Sequence, residues 1–154
     1  MVEIEDAAVV QAPPERVFAL VSDLGNYDRL VPDYSESRIL EEREDGVVVE
    51  RRGRVFGLPV RWVSLGRVVG NDRVEFLQLK GPLRGMVTRW TVRPEGTGTR
   101  VSIVHCYAPR FPGGEWLARN VVHRLVVGKM ARKFLAGVSR AVAEEASDGE
   151  GRGT

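Results

Sequence analysis

At 154 residues, with 43% apolar and 29% charged side chains, the chain has the size and composition of one globular domain that buries a core without disulfides or metals. Its 23 basic residues are nearly matched by 21 acidic ones, mixed along the chain, which argues against the concentrated basic footprint of a nucleic-acid binder. Cys106 is the single cysteine, excluding an internal disulfide, and no run approaches the roughly 18 apolar residues of a membrane span.

The opening VEIEDAAVVQ, residues 2–11, alternates acidic and apolar side chains and predicts a strand. It has no basic segment followed by an apolar core, so a cytoplasmic address is expected and not secretion. APPERVFALVSD then gives a helix with Pro14 in its first turn and Glu15 at the positive end of the dipole. Gly25 and Asn26 are expected to break that helix, and YDRLVP supplies a second short one ending at Pro32.

From Asp33 to Ala108 the turn signals EREDG, FGLP, VGND, KGP and PEGTG divide the chain into six strands, antiparallel by their spacing. The densest basic cluster, Arg51, Arg52 and Arg54, falls within one of them, where alternation divides it between two faces. APRFPGG breaks the pattern before a proline-free segment, Glu115 to Glu145, that predicts one long helix. Trp116, Val127, Met130, Phe134, Val138 and Ala141 recur on it at spacings of three and four and mark the face toward the sheet. Gly128 and Gly137 are expected where that helix approaches a strand closely or leaves space for a guest, or else to carry no role. SDGEGRGT lacks apolar content, so residues 1–146 form the domain and 147–154 a disordered tail.

Strand parity sorts the side chains. In VRWVSLGRV the uncharged set Val60, Trp62, Ser64, Gly66 and Val68 is expected inward; in GMVTRWTVR the inward set is Met86, Thr88, Trp90 and Val92. Val47, Val49, Arg51, Gly53 and Val55 form the more apolar parity of their strand, placing Arg51 inward. For residues 72–80 neither parity prevails. His105 and His123 are the only histidines and the natural groups for proton transfer near neutral pH. The outward set Val63, Leu65, Val69, Val104 and Cys106 is apolar enough for a contact surface or homodimer.

The order strand, two short helices, six strands and long helix resembles the helix-grip fold of the START/polyketide cyclase superfamily. The resemblance is sharpest in APPERVFALVSDLGNYDRLVPDYSESRIL (12–40) and GPLRGMVTRWTVRPEGTGTRVSI (81–103). It implies an α+β domain in which a curved antiparallel seven-stranded sheet wraps the C-terminal helix and encloses an apolar small molecule. It puts Val101, Ile103, His105 and Tyr107 inside, and Tyr27, Tyr34, Trp62, Ser64 and Trp90 on pocket positions. The family's pocket arginine, however, follows the Ser by two residues, where this chain has Gly66; Arg67 is one residue out of phase. A bulge near Gly66 would turn Arg67 inward; alternatively Arg51 takes the role, or pairs with Glu50 or Glu75 at the rim.

The resulting site has Tyr34, Ser64, Arg51 and His105 as candidate catalytic groups. Tyr27, Trp62, Met86, Trp90, Ile103, His123, Val127 and Met130 are the candidate ligand contacts. No cofactor or metal is expected, because Cys106 must point away from His105. Three functions follow from the resemblance: a polyketide cyclase/aromatase-like protein performing aldol closure and dehydration, a non-catalytic carrier of a lipid, quinone or isoprenoid, and a ribosome-associating interaction module. A hydrophobic small molecule is the expected partner; nucleic acid and stable membrane insertion are not.

Overall fold

The computed structural model describes residues 2–31, 36–107 and 112–151. Strand β1 (Val2–Val10) leads into helix α1 (Pro14–Val21) and a 3-10 helix, Leu24–Arg29. Strands β2 (Glu36–Arg43), β3 (Gly46–Val55), β4 (Leu58–Val69), β5 (Arg73–Lys80), β6 (Val87–Glu95) and β7 (Gly98–Tyr107) follow. A continuous helical run completes the fold: α2 (Gly114–Leu117), a π-helical stretch (Ala118–Val127) and α3 (Gly128–Gly151). All seven strands form one antiparallel sheet in the order β1-β7-β6-β5-β4-β3-β2.

The excursion through α1 and the 3-10 helix carries the chain from one sheet edge to the other, after which each hairpin adds one neighbour until β7 closes on β1. Pro14 opens α1 because its missing N–H is one the first turn leaves unbonded anyway. The first helix ends at Val21, before Gly25 and Asn26, and the second short helix starts at Leu24 and incorporates both; Asn26 marks a kink at φ −123°, ψ 27°. Asn26 Nδ2 donates to both Asp23 carboxylate oxygens at 2.9 and 3.0 Å.

The core lies between the inner sheet face, α1, the 3-10 helix and α3. Tyr27 is its hub, edge-on to Phe76, Trp90 and Phe134 at centroid separations of 5.8, 5.8 and 5.4 Å. Val17, Val21, Val101 and Val138 are completely buried around it. The outer sheet face carries arginine–glutamate pairs, including Arg67–Glu75 at 2.9 Å and Arg100–Glu5 at 3.3 Å. None of the described helices is long and apolar enough to cross a membrane.

Two expectations for the C-terminal helix need correction. Trp116 is 64% exposed and not on the sheet-facing stripe, whereas His123, one heptad later, is buried. The π-helical stretch accounts for this: i→i+5 bonding widens each turn, so residues before and after it lose the α-helical phase. The helix also continues to Gly151, past the expected end at Glu145, so part of the segment expected as a tail is helical.

Candidate functional site

Between the sheet and the helical run lies a cavity of about 270 Å³, just below the usual range for small-molecule sites, roughly 300–1,000 Å³. Alternation and register build its sheet wall. Arg51 stands opposite Trp62, Ser64 opposite Gln78, Phe76 opposite Thr88, Thr88 opposite His105, and Trp90 opposite Ile103. These inward rows face Val126, Val127, Met130 and Phe134 of the helical run. Val60 and Met86 extend the wall, while Val68, expected with the inward set, is 45% exposed beyond the cavity.

Arg51 is only 5% exposed, and its guanidinium carbon lies 4.2 Å from the Tyr27 ring centre and 4.6 Å from that of Phe76. The negative faces of both rings offset part of the desolvation cost of the cation. Its Nη2 donates to the Leu24 carbonyl at 3.5 Å. The acids weighed as rim partners are held by other arginines: Glu50 by Arg61, Arg52 and Arg38, and Glu75 by Arg67 and Arg89.

Arg67 does not enter the cavity. It is exposed on the outer face and donates to Glu75. A register shift does occur in β4, but between Val63 and Ser64, before Gly66. At Gly66 a Cβ would lie 2.8 Å from Phe76 Cε1 and 2.9 Å from Leu24 Cδ1. Phe76 and Leu24 thus occupy the room an inward arginine at 66 would need, and Arg51 reaches the same neighbourhood from β3.

Tyr27 lines the cavity with its ring, while its hydroxyl donates to the Val21 carbonyl. Burial pushes its pKa well above the ordinary tyrosine range, so it remains a neutral phenol. Tyr34 falls outside the described residues. Gln78 Oε1 accepts from the Leu83 N–H at 2.7 Å, fixing the β5–β6 connection against the cavity rim.

His105 lines the cavity, and burial, helped by neighbouring His123, holds its pKa down to about 3. At neutral pH it is therefore an uncharged imidazole. His123 is buried behind the wall. Its Nε2 lies 2.9 Å from Asp6 Oδ2 and its Nδ1 3.0 Å from the Tyr107 hydroxyl. A carboxylate oxygen accepts, so Nε2 donates to Asp6, and Nδ1 shares the second hydrogen bond with the Tyr107 hydroxyl.

The sequence reading missed Asp6, Phe76 and Gln78. Asp6 shares the inward parity of β1 with Val2, Ile4, Ala8 and Val10, and that parity was its available signal. In β5 the outward Leu77 is 39% exposed, so apolar side chains on both faces hid the inward row Val74, Phe76 and Gln78.

The architecture is that of several solved structures. TTHA0849 from Thermus thermophilus aligns with TM-score 0.78 at 23% identity, covering 94% of this chain and 99% of that one. The ZhuI aromatase/cyclase from a Streptomyces species aligns with TM-score 0.75 at 22% identity, covering 91% and 93%. A START superfamily protein from Mycobacterium smegmatis aligns with TM-score 0.70 at 16% identity, covering 92% and 97%. At these identities the likenesses establish the helix-grip fold. No curated protein matches by sequence. Residues 10–138 match the family described as polyketide cyclase/dehydrase and lipid transport, and with most of its length covered the chain belongs to that family.

Proposed function

We propose that the chain encloses an apolar, oxygen-bearing small molecule of the poly-ketone, quinone or isoprenoid class and, given a poly-ketone, promotes its cyclisation in the manner of an aromatase/cyclase. The observation that carries this reading is the buried Arg51 guanidinium, held against Tyr27 and Phe76 on an otherwise mainly apolar wall. A ketone or enolate oxygen brought there receives charge-assisted hydrogen bonds from a fork of donors that stays charged at any working pH. Aldol closure develops negative charge on such an oxygen, so the same contact is stronger in the transition state than with bound ketone. In this reading Trp62, Trp90 and Ile103 hold the apolar body, Ser64 orients a carbonyl, and Tyr34 is the acid of the dehydration step.

A second reading, a carrier that performs no chemistry, is favoured by the state of His105: an imidazole held to about pKa 3 is a poor base near neutrality.

Turnover of an aromatic-forming poly-ketone separates the two. The enzyme reading expects Arg51→Ala to lower kcat about 10²-fold or more, as losing an oxyanion donor does, and Tyr34→Phe to slow dehydration. Unchanged turnover in both variants would sink it. Binding of the poly-ketone with no turnover by the wild type would leave the carrier.

A further inference from the structure

Behind the cavity wall three elements bring together side chains that neither the fold nor the proposed ligand requires there. Asp6 of β1, His105 of β7 and His123 of the π-helical stretch each present a donor atom, and the three atoms lie within 4.8 Å of one another. His105 and His123 are both more than nine-tenths buried, and Asp6 is partly buried on an otherwise apolar inward parity. The Asp6–His123 hydrogen bond explains two of the three. It does not explain His105, whose buried Nδ1 has no hydrogen-bond partner among the described residues. A buried polar atom left unbonded is unfavourable, a cost that a bound partner would recover.

We propose that Asp6, His105 and His123 form a binding site for one divalent first-row transition-metal ion. Two imidazole nitrogens and one carboxylate oxygen are the donor set of catalytic zinc and non-haem iron sites that keep positions open. With metal–donor distances of about 2.0–2.2 Å the donors of a tetrahedral site stand roughly 3.4 Å apart, so an edge as wide as 4.8 Å contracts by about 1.4 Å. The outer partner is already present. When Nε2 of His123 gives its proton up to bind metal, Nδ1 protonates and donates to the Tyr107 oxygen 3.0 Å away, fixing ring and tautomer. Because His105 also lines the cavity, the site adjoins it. An oxygen of the enclosed molecule would complete the shell, a step that rests on the ligand-binding reading above.

The chain has no other histidine, and its one cysteine, Cys106, points to the outer face, where its Sγ lies 3.6 Å from Glu3 Oε1. Adventitious binding is therefore easily recognised. Untagged protein, stripped with EDTA and desalted, is titrated with cobalt(II) and followed by visible d–d absorption, with zinc(II) as competitor and no organic ligand added. The expected result is one saturable cobalt per chain, displaced by zinc and unchanged in Cys106→Ser. Asp6→Asn and His105→Ala should each weaken binding at least 10-fold, and Tyr107→Phe about 10-fold through lost orientation. If Asp6→Asn does not fold, His105→Ala decides, since its loss removes no hydrogen bond at Nδ1. No saturable absorption in the wild type, or undiminished affinity in a folded His105→Ala, overturns the site. Neither result bears on ligand capture in the cavity, which is measured without metal.

Discussion

Glu50 and Arg51 are consecutive residues of β3, each almost completely buried, and alternation sends them to opposite faces of the sheet. Arg51 enters the cavity and is compensated by ring faces. Glu50 lies on the outer face beneath Arg61, Arg52 and Arg38, with Arg61 Nε donating to it at 2.6 Å. The Arg61 hydrogen bond, then the surrounding cations, hold the Glu50 carboxyl below its ordinary range. A carboxyl with a depressed folded-state pKa stabilises the fold above its unfolded value of about 4.5, and that contribution is lost as pH falls through the folded-state value. Thermal melts of the wild type should therefore lose stability below about pH 4.5 more steeply than those of Glu50→Gln; parallel curves would contradict this. Alternation alone made Arg51, Trp62, Ser64 and Trp90 legible as inward residues, and the family resemblance added His105. Alternation also puts Asp6 on the inward parity, opposite to Glu3 and Glu5, but only the buried His123 gives a carboxylate reason to face that way.

At the scale of elements, the strands announced themselves because each is bounded by turn chemistry; all six expected after Asp33 are present. The helical run was harder to read. Its position and length follow from the absence of proline, but a π-helical stretch is set by the contacts it makes and leaves no period in the sequence. Its effect is positional: it turns His123 toward Asp6 and Tyr107 while leaving Trp116 in solvent. Gly137 has a definite role too, though not against a strand. A Cβ there would overlap the Leu30 carbonyl oxygen and lie 2.7 Å from its carbon, so the glycine lets α3 seat on the segment after the 3-10 helix. Gly137→Ala gains about 1 kcal/mol of helix propensity but forces this contact apart at about 1–3 kcal/mol or more. Chemical denaturation should show net destabilisation with unchanged m-value; a stabilised variant would mean that the helix moves freely over Leu30. Gly128, whose Cβ would lie 2.8 Å from the His123 carbonyl oxygen, is constrained by its own helix instead.

Over the whole molecule, the sheet curves around one helical run and leaves a cavity whose inner wall includes five polar residues, Arg51, Ser64, Gln78, Thr88 and His105, among apolar and aromatic ones. An apolar guest positioned by a few directed polar contacts is what such a lining favours. Fold and lining were readable because residues 12–40 and 81–103 resemble a known opening and hairpin. What was not readable is how the arginine function is met, since it depends on Phe76 filling the space at Gly66 and on Arg51 of β3 stacking against Phe76 across the intervening β4. The central claim, capture of an oxygen-bearing apolar molecule at Arg51, is tested most directly by native mass spectrometry of freshly purified protein, alone and after incubation with an aromatic poly-ketone. Wild type and Arg67→Met, altered only on the outer face, should carry the added mass, and folded Arg51→Met should lose most of it. Equal occupancy in all three proteins, or none in the wild type, would contradict the account.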